Sequence, residues 1–85
     1  MQGMTHDERM ATAAQLKDRI ISRYGDNVLA VFVTSSTARG LDLPFSDLEL
    51  TVVHRDGTAP DDRAYYCRRI LVEIEHSEES RILLV

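Results

Sequence analysis

The chain has 85 residues, 44% of them hydrophobic but only 6% aromatic, and a net charge of −4, so its core must be mainly aliphatic. This length allows one small domain over residues 1–85, with a disordered start expected at residues 1–4. The negative charge excludes a generic nucleic-acid binder, and we expect no nucleic-acid partner. The lone Cys67 excludes an internal disulfide and favours a reducing compartment. The sequence lacks both a membrane-spanning run and a signal-peptide pattern, so we expect a soluble, cytoplasmic protein.

The first predicted element is a helix over residues 6–24. Thr5 and Glu8 form a capping-box pattern at its start, and Gly25 provides a glycine just past its end. An apolar stripe with helical spacing lies between these signals, and we expect it to face the core: Met10, Ala13, Ala14, Lys17 (through its stem), Ile20, Ile21 and Tyr24.

Three segments of the chain favour strands. Residues 28–33 form a continuous apolar run rich in β-branched residues, which predicts a strand buried on both faces at the centre of a sheet. A short helical turn is expected at residues 36–39. Residues 47–53 alternate between polar and apolar, as a half-exposed strand does. Residues 63–75 are also strand-like, and this order of elements predicts a single α/β or α+β domain.

The C-terminal segment is predicted to form a final helix. Ser77, followed by two glutamates, resembles an N-cap with an acidic first turn, and we expect the helix to reach Val85. Its last four residues, 82–85, are apolar. This pattern indicates contact with a second copy or with a partner protein.

Acidic residues in the predicted strands are candidate metal ligands. Asp47 and Glu49 lie two positions apart, so their side chains project from one face while Leu48 points to the other. Paired carboxylates suit Mg²⁺. If the strands align their acidic faces, Glu73 or Glu75 adds a third carboxylate, and three acids can hold two ions. The same alternation is typical of any strand with a solvated face, so that alternative stays open.

A polar segment with candidate phosphate ligands follows the first predicted strand. Ser35 and Ser36 stand where this strand turns toward a helix, and backbone N–H groups exposed at such a turn can bind phosphate. Arg39 could add a charge-assisted contact. An ordinary polar strand–helix turn is the alternative, because the sequence contains neither a P-loop nor a dinucleotide-binding glycine motif.

Together these motifs resemble the polymerase-beta-like nucleotidyltransferase superfamily. Its members have a strand that ends in Gly-Ser, about ten further residues, Asp-x-Asp/Glu on the next strand, and a third carboxylate on a later strand. Here Ser35-Ser36 is followed after ten residues by Asp47-Leu48-Glu49, and Glu73 has the spacing of the third acid. The likeness to the aminoglycoside (kanamycin) nucleotidyltransferases covers nearly the whole chain, including Glu8-Arg9-Met10, Arg19-Ile20-Ile21, Tyr24-Gly25-Asp26, Val72-Glu73-Ile74 and Ser77-Glu78-Glu79.

The resemblance implies a mixed sheet flanked by helices. It also implies transfer of a nucleoside monophosphate from an NTP (ATP or GTP) to a hydroxyl of a small molecule or protein. Its implied ligands are Ser35, Ser36 and Arg39 for the phosphates, and Asp47, Glu49 and Glu73 for one or two Mg²⁺ ions.

Two points in the family pattern leave other functions open. Ser35 replaces the family's glycine, and we expect its side chain to narrow the phosphate pocket. The resemblance implies a helical C-terminal domain that holds the acceptor, and we expect a homodimer or partner protein to complete this part of the site. A non-catalytic, antitoxin-like relative that acts through a protein partner and a plain interaction domain remain as alternatives.

Overall fold

The computed structural model describes residues 3–67 and 70–83, except for the side chains at positions 35, 82 and 83. The described part is one small domain with a mixed four-stranded sheet, which confirms the predicted α+β class. Its elements, in chain order, are α1 (His6–Tyr24), a 3-10 turn (Gly25–Asn27), β1 (Val28–Thr34), α2 (Ser35–Ala38), β2 (Leu48–His54), β3 (Arg63–Cys67), β4 (Ile70–Glu78) and α3 (Glu79–Leu83).

Helix α1 begins and ends where its local signals predicted. The backbone N–H of Glu8 donates to the Thr5 hydroxyl at 3.0 Å, and the backbone N–H of Thr5 donates to the Glu8 carboxylate at 3.0 Å. This capping box satisfies two of the N–H groups that a helix start leaves without partners. Gly25 ends the helix with φ 61°, a conformation that favours glycine.

The buried face of α1 differs in part from the predicted stripe. Met10 and Ile21 are 40% and 46% exposed, so their predicted core positions are wrong. The helix packs against one face of a single sheet. The sheet therefore buries only a narrow stripe of the helix surface and leaves the helix positions beside that stripe exposed to water. That buried stripe consists of Arg9, Ala13, Leu16 and Ile20.

The sheet has the strand order β1-β2-β4-β3, with β2 parallel to β4 and the outer strands antiparallel to their neighbours. Strand β1 therefore lies at an edge, and the prediction of a central strand there was wrong. Leu29 and Phe32 of β1 are 40% and 51% exposed. The central strands are β2 and β4, whose inward side chains are buried beneath α1: Leu48, Leu50, Val52, Val72 and Ile74.

Both ends of the chain differ from expectation. Ser77, the predicted helix cap, lies inside β4 opposite Val53 and is only 2% exposed, and α3 begins at Glu79. Where the sequence predicted a disordered start, Met4 is 2% exposed and donates its backbone N–H to the Pro44 carbonyl at 2.8 Å. Residues 1–2 and 84–85 lie outside the described residues, as do the side chains of the apolar C-terminal segment. No helix in the described part of the chain combines the length and hydropathy needed to cross a bilayer.

Two histidines meet in the core at the ends of the central strands. His54 Nε2 and His76 Nδ1 are 2.7 Å apart, and the Tyr24 ring lies edge-on to both imidazoles, with centroids at 5.4 and 5.6 Å. Burial lowers the pKa of His54, against the opposing charge of Glu78. Burial and the neighbouring His54 lower the pKa of His76, against the opposing charge of Asp62. Both shifts favour the neutral form of the pair in the folded protein.

We expect the free energy of unfolding to decrease as the pH falls through 6.5, the ordinary histidine value. Because folding lowers both histidine pKa values, the unfolded chain binds more protons in this window, and stability declines until the pH is below the folded-state values. Urea titrations at about pH 7.5 and about pH 5.5 measure the slope. His76→Gln should make it shallower, and an unchanged slope would show that the pair does not cause it.

Candidate metal and phosphate site

The structure brings three predicted acidic residues together on the open face of the sheet. Parallel pairing of β2 with β4 places Glu49 directly beside Glu73. Asp47 immediately precedes β2. One carboxylate oxygen from each of these three residues lies within 4.8 Å of the others. Glu75, the alternative third acid, lies two residues further along β4, where it is paired with Thr51. It is outside this group of carboxylates.

The carboxylate cluster fits a hard divalent cation. Octahedral Mg²⁺ holds neighbouring oxygens about 3 Å apart and opposite ones about 4.2 Å apart. The three oxygens lie within 4.8 Å of one another, a separation compatible with ligation of one such ion. The spacing also suits two ions about 3.5–4 Å apart that share a carboxylate. Asp47 is exposed and Glu49 is half-buried, so a ligand can reach the oxygens from solvent.

The predicted phosphate segment lies beside the carboxylates. Thr34, the last residue of β1, is paired with Glu49, and its hydroxyl donates to the Glu49 carbonyl at 3.3 Å. Helix α2 begins at the next residue, Ser35. Ser36 is half-buried and Arg39 is exposed, and the described residues include no ion pair to Arg39. The pairing of β1 with β2 thus puts the α2 turn and the acidic cluster at the same end of these two strands.

The α2 turn contains a buried residue, Thr37, that the sequence pattern did not mark as part of the site. Thr37 is 2% exposed, and its hydroxyl has no hydrogen-bond partner among the described residues. Gly40 follows with φ 68°, and its N–H donates to the Thr37 carbonyl at 3.1 Å. Leu41 donates to the Ser36 carbonyl at 3.0 Å, which closes the turn. These bonds keep Ser36 and Arg39 on one short, well-defined segment.

A buried ion pair between Arg9 and Asp42 lies next to the site, and no local pattern in the sequence predicts it. Arg9 is 0% exposed, and its guanidinium donates to the Asp42 carboxylate and to the Leu43 carbonyl. The His6 ring nitrogen lies 2.7 Å from the same carboxylate. Burial acts to raise the pKa of Asp42, but the hydrogen bonds from His6 and Arg9 outweigh it and hold that pKa below its ordinary value.

The described α+β domain thus combines an open sheet face with an Asp-x-Glu pair and a third carboxylate on the neighbouring strand, the arrangement that the sequence resemblance implied. No protein-family model matches the chain. It is 34% identical over 80 residues to aminoglycoside nucleotidyltransferase (4′) of Staphylococcus aureus, and equally to the protein of that name from a Bacillus species. The match covers 94% of this chain and 32% of each relative, so the chain spans about a third of their length. These similarities confirm the resemblance inferred from the motifs.

We expect Glu49→Gln to stabilise the protein at low ionic strength without divalent cations, by up to about 1 kcal/mol, because it removes one of three mutually repelling charges. Added Mg²⁺ should reduce or reverse this gain, since the cation would stabilise the wild type more than the variant. Urea titrations with and without MgCl₂ measure both effects. Glu75→Gln is the matched control on the same face, and an equal gain there would argue against repulsion within the cluster.

Proposed function

We propose that this domain binds a magnesium–nucleoside triphosphate and supports transfer of its nucleoside monophosphate to an acceptor hydroxyl. The proposal rests mainly on the cluster of Asp47, Glu49 and Glu73, whose oxygens lie within 4.8 Å of one another beside the end of β1. The 34% identity to two proteins named aminoglycoside nucleotidyltransferase (4′) supports the reaction class.

The residues of the site divide into two binding functions. Asp47, Glu49 and Glu73 would hold Mg²⁺, which neutralises phosphate charge and polarises the reacting phosphoryl group when bound. Ser36 would donate hydrogen bonds to the phosphates, with Ser35 beside it at the start of α2. The exposed guanidinium of Arg39 would contact the phosphate oxygens through charge-assisted hydrogen bonds. Such positioning and charge stabilisation provide most of the catalysis in phosphoryl transfer.

The proposed transfer is an in-line displacement at the α-phosphorus. The acceptor oxygen forms a bond to this phosphorus while the bond to the bridging oxygen breaks, and pyrophosphate leaves with that electron pair. The acceptor proton passes to a base. The acceptor we propose is a hydroxyl of a small, aminoglycoside-like molecule. Amino groups on such a molecule would be attracted to a protein with net charge −4.

We propose that another protein surface, from a second copy or a further domain, holds the acceptor. The loop that leads from α2 to Asp47 exposes three large apolar side chains: Leu41 (65%), Leu43 (69%) and Phe45 (55%). On the open face of the sheet, Phe32 and Tyr66 are 51% and 76% exposed. Several large apolar side chains exposed close together favour an interface in which another protein surface covers them.

The same exposed residues favour a second candidate function, a non-catalytic, antitoxin-like domain that acts through a protein partner. The two candidates differ in their products. Incubation with radiolabelled NTP, Mg²⁺ and an aminoglycoside yields labelled acceptor and pyrophosphate if the first is correct. A protein that binds a partner from its source cells but never releases pyrophosphate, alone or in that complex, would support the second.

We expect Mg-ATP or Mg-GTP to raise the free energy of unfolding, by about 2.7 kcal/mol when the free nucleotide reaches about 100 times its Kd. Asp47→Asn should abolish the response, because it removes a charged oxygen ligand. Asp18→Asn, which makes the same charge change at an exposed position of α1, should respond like the wild type. The measurement is a thermal or urea unfolding series at millimolar nucleotide. Identical behaviour of wild type and Asp47→Asn would contradict the proposal.

A further inference from the structure

The three carboxylates of the candidate site are positioned in different ways. Glu49 and Glu73 lie within β2 and β4, where the ladder of backbone hydrogen bonds fixes their register. Asp47 lies one residue before β2, outside the ladder. Its position therefore depends on the preceding loop, residues 39–47, which contains neither strand nor regular helix.

One buried side chain organises this loop. The Arg9 guanidinium contacts three successive loop residues: it pairs with the Asp42 carboxylate and donates to the carbonyls of Leu43 at 2.9 Å and Pro44 at 3.1 Å. A planar guanidinium with several donors in fixed directions can hold such a set of acceptors in one arrangement, whereas a lysine ammonium cannot. Since Arg9 is 0% exposed, water does not compete for these contacts.

Further hydrogen bonds hold the part of the loop that lies between the Arg9 contacts and Asp47. The N-terminal arm contacts the same loop: Met4 donates to the Pro44 carbonyl at 2.8 Å, and Gly3 packs against Pro44 so closely that a Cβ would clash. Next, Leu43 and Ser46 form a closed turn. The Leu43 N–H donates to the Ser46 hydroxyl at 2.8 Å, and the Ser46 N–H donates to the Leu43 carbonyl at 3.0 Å. Asp47 follows this turn directly.

We propose that Arg9 is a positioning residue for the metal site, which sets the location of Asp47 through the loop without touching the ion. This inference rests on the proposed function, since it assumes that Asp47 is a ligand. A buried residue that served the core alone would need no polar atoms, and Leu16 and Ile20 serve that purpose on the same face of α1. Arg9 instead directs its terminal nitrogens, Nη1 and Nη2, at the loop, while its buried Nε has no hydrogen-bond partner among the described residues. Loss of a residue that orients a metal ligand typically weakens metal binding about 10–100-fold.

The test compares Arg9→Met, Arg9→Lys and the control Arg19→Met, an exposed arginine on the same helix. Circular dichroism first establishes a temperature at which every variant is fully folded, and Mn²⁺ binding is then measured there by calorimetry. Arg9→Met should bind Mn²⁺ at least about tenfold more weakly than the wild type, Arg9→Lys should be intermediate, and Arg19→Met should match the wild type. Folded Arg9 variants with wild-type affinity would overturn the proposal. If Arg9→Met does not fold, Arg9→Lys and Asp42→Asn provide the same comparison.

A second readout separates this inference from the proposed function. NMR spectra of the metal-free protein report the Asp47 carboxyl and amide signals directly. Arg9→Lys should shift the Asp47 signals while the backbone amide signals of Glu49 and Glu73, which the sheet holds, stay in place. If the wild type binds no Mn²⁺ but the Arg9→Lys variant shows this selective shift, the metal site is refuted and the positioning role stays intact. Signals of Asp47 that do not move would refute the positioning role, whatever the metal affinity.

Discussion

The in-register parallel pairing of β2 with β4 determines both the core and the candidate site. Leu48 lies beside Val72, and on the next step Glu49 lies beside Glu73. Because side chains alternate along a strand, the face beneath α1 is apolar and the opposite face is acidic. A shift by one residue would place glutamates beneath the helix and leucines in water, so burial of the aliphatic side chains enforces the register that gathers the carboxylates. The free energy gained by burying aliphatic side chains on the helix-covered face of the sheet thus holds the negatively charged glutamates together on the opposite face.

The sequence predicted those parts of the fold that depend on local interactions. The ends of α1 follow from a capping box and a glycine, both contained within a few residues of the boundary. Strand order depends on distant pairings, and local pattern does not report it. In β1, Val31 and Val33 pack against the core while Leu29 and Phe32 remain exposed, so the continuous apolar run belongs to an edge strand. At the other end of the sheet, pairing of Ser77 with Val53 extends β4 through a residue that resembles a helix cap, because tertiary pairing overrides a weak capping signal.

The same distinction applies to the candidate site. The proximity of Asp47 and Glu49 was predicted from strand alternation, although Asp47 lies one residue before β2, where the loop also determines its position. Pattern alone did not decide between Glu73 and Glu75 as the third acid; the family spacing favoured Glu73, and the β2–β4 register agrees. Arg9 was missed because an arginine on an amphipathic helix normally extends its charged end into water. Only the folded loop supplies the carboxylate and carbonyls that make its burial favourable, and those partners lie more than thirty positions away.

Three neighbouring carboxylates destabilise a small domain that has only one aliphatic core to offset them, and domains of this size have thin stability margins. Proteins retain such arrangements where a site requires them. Under the proposed function, a cation placed among the three oxygens would convert their mutual repulsion into attraction, and binding and folding would then be linked: the ion would also raise the free energy of unfolding. Arg9 enters this linkage from the opposite side of the sheet. In the proposed positioning role, it would supply in advance part of the ordering that the ion would otherwise have to impose on Asp47, and a ligand set ordered before binding holds its ion more tightly.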